Sequence, residues 1–475
     1  MSVKNWDDLW RLVDEKRDSF IALSDRVWGM PEVCYTEVRS AAEHAAELER
    51  QGFRVTRDVA GIPTALIGEA GEGGPVIAIL GEYDALPGLS QEAGIAEHRP
   101  VEPGGNGHGC GHNLLGSAAM LAATAVKDWL GAKGIPGRVR YYGCPAEEGG
   151  AAKAFMVRAG AFSDVDVAIS WHPHGFSEVM PPVGLANTRV DFTFTGRAAH
   201  AAAAPHLGRS ALDAVELMSV GVNYMREHMP SDARIHYAVL DTGGIAPNVV
   251  QARARVRYSV RARDLRGMRE LLERVRKVAE GAALMTETQM EMRIISAVSN
   301  LLGNPPLEQA MDRILHHLGP PDFDEADLNF ADRIQATLSE EDILSAYRIV
   351  GLPRTNTSLC DRIVPLDSER QLAPGSTDVG DVSWVAPTVQ AHGAVFAIGT
   401  PLHSWQVVAQ GKAPAAHKGM VHTAKVMAAT AAAALTDEAL LAAAKKDHEM
   451  RLREQPYICP IPPSVQPPLT MSTGG

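Results

Sequence analysis

Residues 76–84 read VIAILGEYD, an unbroken apolar run that ends in glutamate, tyrosine and aspartate. A run this short, with glycine and proline close by, reads as a strand buried on both faces. Similar runs occur at 53–59, 64–67, 139–143 and 167–171, with helical stretches at 114–130 and 151–159 between them. Two amphipathic helices, 6–28 and 41–51, come before them. Strands alternating with helices predict an α/β unit whose mostly parallel sheet is flanked by helices.

Near residue 183 the texture changes. An alternating strand at 188–195, a helix at 210–228, strands at 234–240 and 252–262 and a helix at 265–284 predict an inserted α+β unit of about 110 residues. The expected division is 1–185 for the first part of the α/β unit, 186–296 for the insert and 297–475 for the second part. An apolar strand at 394–398 would complete the first sheet, and a proline-rich tail from 455 would run extended. Within the insert, Arg253, Arg255, Arg257, Ser259 and Arg261 alternate with Ala254, Val256, Tyr258 and Val260. That is a strand with one basic and one apolar face.

The chain has 475 residues and a formal net charge of −12. So acidic a chain is a poor general binder of nucleic acid, which needs clustered lysine and arginine. The five cysteines are odd in number and scattered, unlike a secreted disulfide framework. The N-terminal MSVKNWDDLWRLVDEKRDSF carries charges throughout, where a signal peptide needs an apolar core. No apolar run approaches the roughly 20 residues that span a bilayer. These features predict a soluble cytoplasmic protein with neither a nucleic-acid nor a membrane partner.

In an open α/β sheet the ligand site lies beyond the carboxyl ends of the strands. Here Glu82 and Asp84 follow one apolar run, Glu147 and Glu148 a second, His172 and His174 a third, and His403 the run at 394–398. The loop GNGHGCGHN, with His108, Cys110 and His112, precedes the helix at 114–130. Carboxylate, imidazole and thiol converging on one edge are what a metal site requires; thiolate and imidazole favour zinc, and the carboxylates keep manganese open. Of the adjacent acids Glu147 and Glu148, one can hold a metal while the other carries protons. Asp84 suits the support of an imidazole, and Asp378 and Asp381 are either supports or turn aspartates. Two readings compete: a cysteine nucleophile at Cys110 activated by His108 or His112, and an inert ligand-binding protein that keeps the fold.

The segments GEYDALPGL, GHGCGHNLLG, CPAEEGG, GRAAHAAAAPHLGRSALDA, GGIAPNVVQA and PLHSW together resemble the metallopeptidase and amidohydrolase family of hippurate hydrolase, auxin-conjugate hydrolases and, more distantly, carboxypeptidase G and acetylornithine deacetylase. The resemblance covers essentially the whole chain. It implies a zinc-exopeptidase-like catalytic unit with two divalent ions in each protomer, Mn2+ or Zn2+, and an inserted lid that forms a dimer interface. By motif, Cys110, His112, Glu148, His172 and His403 would be the metal ligands and Glu147 the general base and acid. His200 would reach the site of the neighbouring protomer, and Asn248 and Arg261 would bind the carboxylate end of the substrate. The implied substrates are N-acyl or N-aroyl amino acids, with p-aminobenzoyl-glutamate the best single candidate and auxin-amino acid, hippurate-type or dipeptide substrates as alternatives. The implied assembly is a homodimer or a pair with a homologous second chain. One departure is that Asn113 stands where many members carry aspartate in CGHD.

Overall fold

The computed structural model describes residues 5–371 and 375–472. Its strands are β1 (Arg54–Arg57), β2 (Leu66–Glu72), β3 (Val76–Glu82), β4 (Gly137–Cys144), β5 (Val167–His174), β6 (Glu178–Val179), β7 (Ala186–Thr195), β8 (Arg234–Asp241), β9 (Arg253–Ala262), β10 (Gln289–Val298) and β11 (Thr388–Ala394). The helices are α1 (Asp7–Trp28), α2 (Val38–Arg50), α3 (His112–Lys133), α4 (Ala152–Arg158), α5 (Ala211–Met225), α6 (Leu265–Thr286), α7 (Pro305–Leu318), α8 (Glu325–Gln335), α9 (Glu340–Val350), α10 (Val379–Ser383), α11 (Trp405–Gln410), α12 (Pro414–Thr436) and α13 (Glu438–Glu454).

The larger sheet runs β1-β2-β4-β3-β5-β11-β6. Its centre, β4-β3-β5-β11, is parallel, while β1, β2 and β6 join it antiparallel at the edges. Every residue of β3 is buried, as its apolar run requires. Helices α3 and α12 are rich in alanine and buried along most of their length, so they form the inner layer against the sheet. Small side chains all round let a helix be covered from every direction. Among the described residues no single helix is long and apolar enough to cross a membrane.

The second sheet, β10-β7-β9-β8, is antiparallel throughout, with α5 and α6 contributing to the core on its apolar face. The alternation read in β9 is realised: Ala254, Val256, Tyr258 and Val260 are buried. On the basic face, Arg257 pairs with Asp191 through bonds of 2.7 and 3.0 Å.

One expected strand is misplaced. The last strand of the main sheet is Thr388–Ala394, and residues 395–398 leave the ladder, with the Val395 and Phe396 amides both donating to the His174 carbonyl. Residues 395–398 are buried, so the apolar run marked the core without marking extended backbone. The actual strand carries Gln390 and His392, which disguise it as polar. The proline-rich tail packs down: Ile461 is buried, and the Tyr457 hydroxyl donates to Asp381 at 2.8 Å.

Two buried histidines far apart in the fold make its stability pH-dependent. His44 meets the Tyr141 hydroxyl at 2.7 Å, and His422 meets the Gly319 carbonyl at 2.7 Å. Burial pushes them down to about 3 and about 4. A depressed imidazole stays neutral in the folded state while the unfolded chain takes up a proton near pH 6.5. Stability is therefore complete above pH 6.5 and falls as pH drops towards 4, by up to about 1.4 kcal/mol per pH unit per histidine. Denaturation midpoints at pH 7 and pH 5 should show a smaller difference in His422→Gln than in the parent. An unchanged difference would refute this linkage for His422.

Candidate metal centre and cavity

The loop before α3 delivers the first two ligand-type side chains. Gly111 adopts φ +77°, a left-handed conformation suited to glycine, and a Cβ there would meet Phe396 and Pro173 at 3.0 Å. This turn places Cys110 Sγ 3.3 Å from His172 Nε2, at the end of β5. His112 Nδ1 donates to Asp84 Oδ1 at 2.9 Å, which aims Nε2 at Glu82 Oε2, 3.2 Å away. Asp84 thus orients this imidazole, and its other oxygen accepts the Glu148 amide at 2.9 Å.

The acidic pair follows β4 on a strained turn. Ala146 (φ +55°), Gly149 (φ +128°) and Ala151 (φ +57°) are all left-handed within six residues. Such backbone persists only where its surroundings hold it. Glu37 accepts the Ala146 amide at 2.9 Å, the Tyr35 hydroxyl donates to the Gly150 carbonyl at 2.7 Å, and Ser296 of β10 donates to the Gly149 carbonyl at 2.7 Å. The turn separates the two acids. Glu148 Oε1 approaches His403 Nε2 at 3.3 Å, while Glu147 comes close to Glu82 and His112.

Three groups of candidate ligand atoms cluster here, each within 4.8 Å: Cys110, His112 and His172; Cys110, Glu148 and His403; and Glu82, His112 and Glu147. Within them the buried atoms Glu82 Oε2, His112 Nε2 and Glu148 Oε1 have no hydrogen-bond partner. Orphaned polar atoms of this kind, aimed at one another, fit a cation. The electrostatics agree: His112 is raised well above its ordinary value by Asp84 and Cys110 despite burial, so the site favours positive charge. Burial, then the charges of Glu82 and Glu148, push Glu147 up, as suits a carboxyl that carries a proton. The Cys110 thiol is pushed up by burial and Glu148. A nucleophilic cysteine needs the opposite shift, so its surroundings disfavour that reading.

Sequence reasoning missed two neighbours. Lys153, fully buried on α4, bridges Glu82 at 2.7 Å and Asp378 at 2.6 Å. Burial opposes its charge, but Asp378 and Glu82 outweigh this and hold it well above its usual value. Arg189 of β7 lies against Gly149 and lines the cavity beside Arg261. Neither arginine has an ion pair among the described residues; Arg261 donates only to Ser376, at 3.2 Å. Burial and Arg189 depress Arg261. The cavity of about 500 Å3 is bounded by Cys110, Glu147, Glu148, His172 and His403 on one side and these arginines on another.

Other residues fall outside this centre. His108 is buried and bonded to the Val27 carbonyl at 3.0 Å. Asn113 donates to Ser24 and to the Gly411 carbonyl at 3.0 and 3.1 Å, two bonds an aspartate could not donate. Asp381 accepts from the Ser299 amide and hydroxyl and orients no imidazole. His200 and Asn248 lie together on the exposed surface of the insert and do not line the cavity.

A split α/β unit with an inserted second sheet, carrying carboxylates, imidazoles and a thiol at the sheet's carboxyl edge, has the architecture of a metal-dependent hydrolase. The chain belongs to peptidase family M20/M25/M40, whose model matches residues 78–446, and it is a hydrolase of that family. It is 48% identical to one of the two chains of the p-aminobenzoyl-glutamate hydrolase of Escherichia coli, over 97% of this chain and 99% of that one. It is 30% identical to the other chain of the same E. coli hydrolase, over 49% of this chain and 54% of that one. A dinuclear metal binding peptidase of the M20 family from Bacillus subtilis shares the fold, with a TM-score of 0.52 and 18% identity over 89% of this chain and 98% of that one.

Proposed function

We propose that the chain hydrolyses the amide bond of N-acyl and N-aroyl amino acids, with p-aminobenzoyl-glutamate, cleaved to p-aminobenzoate and glutamate, as its preferred substrate. The observation that carries this reading is the position of Glu147 between a cluster suited to cations and a cavity wall with two arginines lacking carboxylate partners. The substrate for which the 48% identical relative is named supports the choice. Cys110, His112, Glu148, His172 and His403 would hold two divalent ions, manganese or zinc. Bound there, such ions supply Lewis acidity that polarises the scissile carbonyl and makes a water more acidic. Glu147 takes the proton from the attacking water and returns it to the leaving nitrogen. Arg189 and Arg261 clamp a carboxylate of the amino acid.

Residues 186–296 act as the lid in this reading. The lid presents His200 and Asn248 to a neighbouring protomer, either a second copy or a homologous chain, where His200 steadies the oxyanion. Their exposure beside one another and outside their own chain's cavity supports a shared site, and relatives named as two different chains of one hydrolase support a homologous partner.

The test is turnover of a panel of N-acyl and N-aroyl amino acids before and after chelation. p-Aminobenzoyl-glutamate should be the best substrate, chelation should abolish its cleavage, and added Mn2+ or Zn2+ should restore it. Undiminished turnover after exhaustive chelation would sink the metal reading, and a better dipeptide substrate the choice of acyl group.

A further inference from the structure

A second cluster lies on the same cavity, one strand further along the sheet. His392 of β11 is the register partner of His172, and Glu178 of β6 is the register partner of His392. Adjacent strands lie about 4.8 Å apart, and register partners point to the same side. The chain therefore carries an imidazole row away from the candidate metal centre, towards the edge opposite Arg189 and Arg261. The arginines sit over the loop that follows β4, on the other side of His172 in strand order. The cavity thus has a cationic end and an imidazole end, with Glu147 and Glu148 nearer the cationic one.

The imidazole end is built with defined hydrogen-bond roles. Glu178 pairs with Arg370 and accepts from His392 Nδ1 at 2.7 Å. His392 Nε2 therefore presents a lone pair. His174 stacks on His392, with centroids 4.3 Å apart and planes at 20°, and its Nδ1 accepts the Phe176 amide at 3.3 Å. The neutral ring then carries its proton on Nε2. The two rings offer one acceptor and one donor side by side.

Although His174, Glu178 and His392 are near enough to share an ion, the arrangement argues against one. His174 has no free lone pair to give while it accepts from Phe176, and the guanidinium of Arg370 already neutralises Glu178. A neutral cluster with a fixed acceptor and a fixed donor suits a neutral polar group, and the flat stacked rings suit an aromatic one.

We propose that His392, held by Glu178 and stacked on His174, binds the arylamine of the aroyl group at the end of the cavity opposite the arginines. An arylamine is neutral at pH 7; one N–H donates to His392 Nε2, and the nitrogen's remaining lone pair meets His174 Nε2–H. This rests on the aroyl-glutamate reading above and deepens it: the arginine end takes the carboxylates, and the imidazole end reads the para substituent.

The experiment compares kcat/KM for p-aminobenzoyl-glutamate and benzoyl-glutamate, with p-aminobenzoate and benzoate as inhibitors. The parent should prefer the amino-substituted substrate about tenfold, the worth of one well-placed hydrogen bond in a closed site. p-Aminobenzoate should inhibit more strongly than benzoate by a similar factor, a readout that needs no variant to fold. His392→Leu should bring the substrate ratio close to one, and His392→Gln, which returns an acceptor, should recover part of it. Equal use of both substrates by the parent, or an unchanged ratio in His392→Leu, overturns the subsite and leaves aroyl-glutamate hydrolysis intact. Cleavage of neither aroyl-glutamate alongside cleavage of another acyl amino acid overturns the substrate reading itself, and the subsite with it.

Discussion

Glu147→Gln should lower kcat by about 10³-fold, the range expected when a positioned proton carrier is lost. Glutamine keeps the size and a hydrogen-bonding carbonyl but can neither take nor return a proton. The strained turn that aims the side chain depends on backbone contacts to Glu37, Tyr35 and Ser296, none of which involves the Glu147 carboxyl. The variant should therefore fold, keep its bound ions and leave KM within a few-fold. Glu148→Gln should behave differently, because Glu148 reaches His403 and Cys110. There the loss should appear first as reduced ion content, measurable by metal analysis of the dialysed protein. Parent-like turnover by Glu147→Gln would remove the proton-shuttle role altogether.

Lys153→Met should be the most destabilising single change near the site. The ammonium is fully buried between Glu82 and Asp378, and methionine fills the volume without the charge. Two carboxylates would then lie buried without their shared counter-charge, at a cost of about 3–5 kcal/mol. Asp378 also accepts the Lys153 amide at 2.9 Å, so the repelled carboxylate would pull on the first turn of α4. Chemical denaturation should show the midpoint falling sharply at pH 7, with part of the loss recovered in Lys153→Met/Asp378→Asn. A midpoint close to that of the parent would mean that one of the acids is already neutral.

The sequence made the chemistry at the strand ends legible because each such group follows an apolar run directly. Glu147, Glu148 and His172 needed only the rule that ligands gather at the carboxyl edge. Cys110 and His112 stood out because a glycine-flanked loop rarely carries so much coordinating chemistry. Lys153 did not stand out: in AAKAFMVRAG it reads as a surface lysine on a short helix, and its partners are separated from it by a strand pair and by more than two hundred residues. Arg189 was lost among the alternating residues of β7. His392 was hidden because its strand looks polar, and its bond to Glu178 spans 214 positions. The antiparallel edges of the main sheet were also illegible, since apolar runs record burial and carry no strand direction.

The bond from Ser296 to the Gly149 carbonyl joins the second sheet to the very turn that aims Glu147. Arg189 presses on the same glycine. A rocking of the inserted sheet cannot leave that turn undisturbed, so the position of the insert and the alignment of the proton carrier behave as one mechanical linkage. The chain is thereby geared to be in register for chemistry when its two sheets are together, and out of register when they part.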